Sequence, residues 1–152
     1  MKSNNDLREN LEFANKFFRN KNFVKAEKLY KKIIKKFPNN FDANYFMASI
    51  KAQNNSFNEA KDYMEKANSI NPNLPELNNN LGLVYLNLNE IEKAIKYFQK
   101  AISLNKNYLL AYTNLGMAYV NQKKFLKLKK IILKPLKLIQ TIFSQTIILL
   151  IY

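Results

Sequence analysis

The residues able to do acid-base work in this chain are its carboxylates, and two close pairs stand out: Glu90 with Glu92, and Asp62 with Glu65. A carboxylate pair can act as general acid and base when burial pushes the two pKa values apart. Nothing else supports that use. The sequence has no histidine and no cysteine, so the usual proton shuttle, thiolate nucleophile and metal ligands are missing, and every serine, threonine and tyrosine hydroxyl lacks a His base. The only glycines, Gly82 and Gly116, stand far apart in one repeating column, so no glycine-rich loop exists to cradle a phosphate. Carboxylates in this setting are solvated helix faces. Covalent catalysis, resident metal and nucleotide chemistry are therefore not expected, and the protein reads as a non-enzyme with no cofactor.

The elements that would position any binding residues repeat. Ala26, Ala60 and Ala94 recur at one even step; Tyr30, Met64 and Phe98 keep that step, as do Phe23, Phe57 and Ile91. Apolar residues at steps of three and four within each unit predict paired amphipathic helices. Small side chains at Ala14, Ala48, Gly82 and Gly116 let helix backbones approach while neighbouring aromatics fill the flanks. Pro38 and Pro72 end second helices. One column departs: Lys51 stands where the other units place Phe17, Tyr85 and Tyr119, predicting looser packing there.

The period and the alternation of small and bulky columns resemble the tetratricopeptide repeat family, whose unit is a helix-turn-helix of about 34 residues. The resemblance implies an all-α, right-handed superhelical solenoid of antiparallel helix pairs. Residues 1–6 form a polar lead and 7–125 the repeat domain, divided 7–40, 41–74, 75–108 and a partial fourth repeat at 109–125. It also implies a concave groove, lined by the first helix of each repeat, that receives a peptide or protein. On this sequence the groove residues are Asn15, Phe18, Tyr45, Phe46, Ser49, Asn79, Asn80, Leu83, Leu86, Asn114, Met117 and Val120. Asn80 and Asn114, each before a Leu-Gly pair, are similar to the asparagine ladder of the repeat domain attached to O-linked N-acetylglucosamine transferase. An amide both donates to and accepts from a peptide backbone. The basic clamp by which other members hold chaperone tails is not matched: Asn15 fits, but Leu11, Phe46, Glu76 and Asn80 fill its remaining positions.

The net charge of +14 belongs to the ends. Residues 1–40 hold 11 basic and 4 acidic groups, residues 41–108 hold 7 of each, and residues 109–152 hold 7 basic and no acidic groups. A solenoid tracking a nucleic-acid backbone is basic along its groove, so nucleic acid and membrane are not the expected partners. The alternatives are attachment to nucleic acid or anionic lipid through the basic ends, with Lys25 to Lys36 as one cluster, and an adaptor severed from a glycosyltransferase-like enzyme. The N-terminus MKSNNDLREN has no apolar stretch of the secretory kind, predicting a cytoplasmic protein.

Residues 126–152 break the pattern, with Leu128 and Pro135 where the columns want alanine. One base lost near codons 125 and 126 accounts for this. Read one base out of register, Pro135 can restore the column of Ala67 and Ala101, Gln140 that of Pro38 and Pro72, and Gln145 that of Ala43 and Ala111. The rival readings are an interfacial anchor, since Ile142 to Tyr152 is too short to span a bilayer, and a capping helix. An uncapped C-terminal end would permit self-association.

Overall fold

In the computed structural model, which describes residues 2–122, seven α-helices and no strand are found among the described residues. The chain divides into two compact units, residues 1–72 and 73–152. The first contains α1 (Lys2–Arg19), α2 (Phe23–Lys36), α3 (Phe41–Gln53) and α4 (Phe57–Ile70). The second contains α5 (Pro75–Asn87), α6 (Ile91–Leu104) and α7 (Leu109–Asn121). The expectations about residues 126–152, including the lost base, the anchor and the uncapped end, lie outside the described residues. α1 begins at Lys2, and no proline or glycine lies between it and Leu7.

Each helix pair is closed by the same turn. Asn22, Ser56 and Glu90 donate backbone N–H groups to the carbonyls of Phe17, Lys51 and Tyr85, at 2.9 Å in all three cases. The residue before each donor, Lys21, Asn55 or Asn89, has a φ of 57, 59 or 60°. This wide bond, with a left-handed residue inside it, satisfies carbonyls that the helix end would otherwise strand. Asparagine tolerates that backbone better than lysine does.

A second device starts α3 and α5 and has a counterpart inside α1. The side-chain amides of Asn10, Asn44 and Asn78 donate to the carbonyl one helical turn back, on Asp6, Asn40 and Leu74. Asn44 also reaches the Pro38 carbonyl at 2.9 Å. Asn44 and Asn78 are buried, so these amides fasten the turn between repeats and are not ligand contacts.

The core of the first unit gathers Ala14, Ala26, Tyr30, Ile33, Ala43, Met47 and Ile50, with Leu11, Phe17 and Phe18 packed against it. In the second unit Gly82 lies directly under Phe98. A Cβ at Gly82 would sit 2.5 Å from Phe98 Cε1, so the helices approach closely enough there to exclude any side chain. Phe98 is fully buried.

Lys51 does not loosen its surroundings. Its ammonium contacts Glu59 Oε2 at 2.8 Å and Glu27 Oε1 at 3.0 Å, and the same Glu27 oxygen receives Lys31 at 2.8 Å. The Lys51 side chain is 12% exposed. Glu27 sits on α2, Lys51 on α3 and Glu59 on α4, so an ion cluster ties three helices where other repeats use a ring.

Candidate functional site

The predicted groove residues of the first unit lie on α1 and α3. Asn15 Oδ1 accepts a 2.7 Å hydrogen bond from the Tyr30 hydroxyl. Burial, with the Asp42 charge adding and Arg19 opposing, raises the Tyr30 pKa well above the ordinary phenol value, so the hydroxyl stays a donor. The bond engages the Asn15 carbonyl oxygen, on a side chain that is half-buried. Next to it runs a chain of rings: Phe18 to Phe46 at 4.9 Å between centroids, Phe46 to Tyr45 at 5.4 Å and Tyr45 to Phe41 at 5.8 Å. All four are half-buried. Ser49 donates its hydroxyl to the Tyr45 carbonyl at 3.0 Å, within its own helix.

In the second unit, α5 and α7 carry the predicted residues, and the amides divide into two kinds. Asn79 and Asn114 are buried, with 0% and 3% of their surface exposed. They meet each other: Asn114 Nδ2 donates to Asn79 Oδ1 at 2.7 Å. Asn79 Nδ2 in turn points to Asn80 Oδ1 at 3.4 Å, a weak bond. The pair fastens α5 to α7 and orients Asn80, which is half-buried. Leu83, Leu86, Met117 and Val120 are also half-buried. The difference from the expected ladder has a simple cause: within one turn of α7, Asn114 sits among Ala111, Leu115 and Ala118, all buried, and a buried amide needs a partner.

Electrostatically the groove candidates are neutral, and the titratable cluster lies elsewhere. The Lys31 hydrogen bond, with help from Lys51, holds the Glu27 carboxyl below the usual range. Glu59 first, then Glu27, raise the Lys51 ammonium. No nucleophile or imidazole adjoins this cluster, and no three metal-ligating side chains converge among the described residues. The carboxylate pairs considered from sequence are no closer to catalysis: Asp62 and Glu65 are exposed on α4, and Glu90 Oε2 is taken by Lys93 at 2.6 Å. Two clefts, of about 280 and 530 Å³, open in the first unit, and neither is lined by a groove candidate.

Glu27, Lys51 and Glu59 do not stand out in the sequence as a cluster, yet a signal is present there. The residue eight positions after each member of the Phe17, Lys51 and Tyr85 column changes in step with it. Lys25 lies 5.4 Å from the Phe17 ring and Lys93 5.0 Å from the Tyr85 ring, whereas Lys51 faces Glu59. Ring with lysine, or lysine with glutamate, is the rule of that column pair.

Comparison with known proteins bears on the same architecture. Two family models described as tetratricopeptide repeat match residues 17–79 and 75–108. No curated protein matches the chain. Among solved structures, MamA shares 21% identity at a TM-score of 0.78, over 97% of this chain and 82% of its own. YrrB, described as a TPR protein with an unusual peptide-binding site, shares 25% identity at a TM-score of 0.75, over 81% of this chain and 63% of its own. An O-GlcNAc transferase from Thermobaculum terrenum shares 18% identity at a TM-score of 0.71, over 78% of this chain but 23% of its own. The evenly spaced columns, the seven helices and both matching models agree: the chain belongs to the tetratricopeptide repeat family, with about three and a half repeats.

Proposed function

We propose that this protein is a non-enzymatic scaffold that binds peptide or protein segments on the faces of its first helices, those of α1 and α3 within the first unit and those of α5 and α7 within the second. The observation that carries the reading is a partition of chemistry. The half-buried predicted residues of these helices are apolar or aromatic side chains, amides and one hydroxyl: Phe18, Tyr45, Phe46 and Ser49 beside Asn15, and Leu83, Leu86 and Met117 beside Asn80. None is charged. Half-exposed apolar surface with a few oriented amides suits a peptide, because the rings accept side chains while the amides serve the backbone. The likeness to YrrB supports peptide as the ligand class.

Panning a displayed peptide library against the full chain tests this directly. Selected peptides should lose affinity when Asn15→Ala and Asn80→Ala are combined, and when Phe46→Ala is made, with thermal melting followed in parallel. Undiminished binding by all of these variants would remove the groove. Asn114→Ala is a poor test of ligand contact, since it strands the buried Asn79 carbonyl at about 1–3 kcal/mol of stability.

Among the described residues no helix is long and apolar enough to cross a bilayer.

A further inference from the structure

The outer face of α2 is uncompensated positive charge. Lys25, Lys28, Lys32, Lys35 and Lys36 are all exposed. At about 100° per residue they fall within an arc of about 100°, opposite the buried Ala26, Tyr30 and Ile33, and extend about 16 Å along the helix. The one carboxylate on α2, Glu27, is turned aside and held by Lys31 and Lys51. Lys25 and Lys36 lie over the Phe17 and Phe37 rings. Lys28, Lys32 and Lys35 make no ion pair or ring contact among the described residues. Asp6 borders the same cleft as Lys32 and Lys36 but forms no ion pair with them.

The scaffold does not require this charge. In the same columns α4 carries Glu59, Asp62, Lys66, Ser69 and Ile70, and α6 carries Lys93, Lys96, Lys100, Ser103 and Leu104. Acid is thus accepted at the column of Lys28, the lysines at Lys35 and Lys36 have no counterpart in either helix, and Lys25 alone follows its ring as Lys93 does. Lysines three and four residues apart repel one another and weaken the helix that bears them. A run that costs stability and that the fold can do without points to a partner.

We infer that the α2 ridge is a second docking face, separate from the groove, for a helical acidic segment of another protein. Its geometry favours that occupant over other polyanions. The cations recur at steps of three and four along a straight helix, and a partner helix with carboxylates at i, i+4, i+7 and i+11 repeats at the same helical pitch. Single-stranded nucleic acid is gripped by aromatic platforms in a basic groove. This ridge is convex, and its neighbouring rings, Phe17 and Phe37, are half-buried under Lys25 and Lys36. An interfacial membrane helix needs its own apolar face free, and that of α2 is spent on the core.

The experiment uses the full chain and a fluorescein-labelled alanine-based peptide of about four turns, with glutamates on one face at the stated spacing. A scrambled peptide of equal charge, an oligothymidylate and phosphatidylserine vesicles serve as comparisons. The one-face peptide should bind about tenfold more tightly than the scrambled one. The double substitution Lys28→Asp and Lys35→Ser installs the residues that α4 carries in the same columns. It should lower the affinity about tenfold and flatten the salt dependence, while the melting temperature holds or rises. Lys66→Gln, as a control on α4, should change nothing. Equal binding of scrambled and one-face peptides, tighter binding of the oligonucleotide or vesicles, or indifference to the double substitution would each overturn the proposal. None of these results bears on the groove.

Discussion

Replacing Gly82 by alanine is the sharpest test of how these repeats pack. Built on the native backbone, the new Cβ lies 2.5 Å from Phe98 Cε1, 2.7 Å from Cδ1 and 3.0 Å from Cζ. Carbon atoms rest about 3.5–4.0 Å apart, so the ring or the helix must retreat by about 1 Å. Phe98 is fully buried and cannot swing into solvent. Overpacking of this kind costs about 1–3 kcal/mol, whereas alanine gains about 1 kcal/mol over glycine in a helix interior. The net expectation is a loss of about 0–2 kcal/mol, up to several degrees in Tm. The first two repeats supply the control, because Ala14 and Ala48 occupy the same column with Tyr30 and Met64 opposite. In a Phe98→Met background the flexible thioether yields, and Gly82→Ala should then stabilise by a few tenths of a kcal/mol or more. Urea denaturation of the four proteins, followed by circular dichroism with the m-value checked for constancy, measures the cycle. A stabilising Gly82→Ala in the native background, or the same effect in both backgrounds, would refute the packing argument.

Lys51→Ala should cost about 1 kcal/mol by removing its contacts with Glu27, which keeps Lys31, and with the exposed Glu59. The double change Lys51→Tyr with Glu59→Lys, which recreates the Tyr85 and Lys93 arrangement, should recover most of that loss in the same denaturation assay. Because the Glu27 pKa is lowered on folding, its contribution is present above the unfolded glutamate value and is lost as pH falls through the folded one. Stability should therefore fall below about pH 4, and Glu27→Gln should flatten that slope in melts run across pH. Lys51, raised on folding, loses its contribution only as pH rises past the usual lysine value of about 10.4. Lys21→Asn, which gives the first turn the residue found at Asn55 and Asn89, should raise stability by about 0.5–1 kcal/mol; a lowered melting temperature would contradict the turn assignment.

The columns make the helices legible in the sequence alone. Small residues at Ala14, Ala48 and Gly82 mark the close approaches, and the buried Ala26, Ala60 and Ala94 lie where the period puts them. The roles of the asparagines are not legible there. Asn44 and Asn78 tie down turns, Asn79 and Asn114 join two helices, and Asn15 and Asn80 remain at the half-exposed face. One side chain serves three ends because its amide is self-complementary, so only its burial and the partner it finds distinguish them. Lys51 misleads for a related reason: a charge in an apolar column reads as a flaw until its partners, Glu27 on the helix before it and Glu59 on the helix after it, are seen together.

That lysine has a use at the bench. Acylating reagents modify free, accessible amines, and Lys51 is both shielded and held in its charged form by Glu59 and Glu27. The exposed lysines of the α2 ridge will label readily, whereas Lys51 will label slowly while the ion cluster across α2, α3 and α4 holds. The rate at which a mass spectrometer sees Lys51 acquire its tag is thus a clock for the opening of the first unit alone. It reports on that unit in the intact chain, with no probe to be introduced.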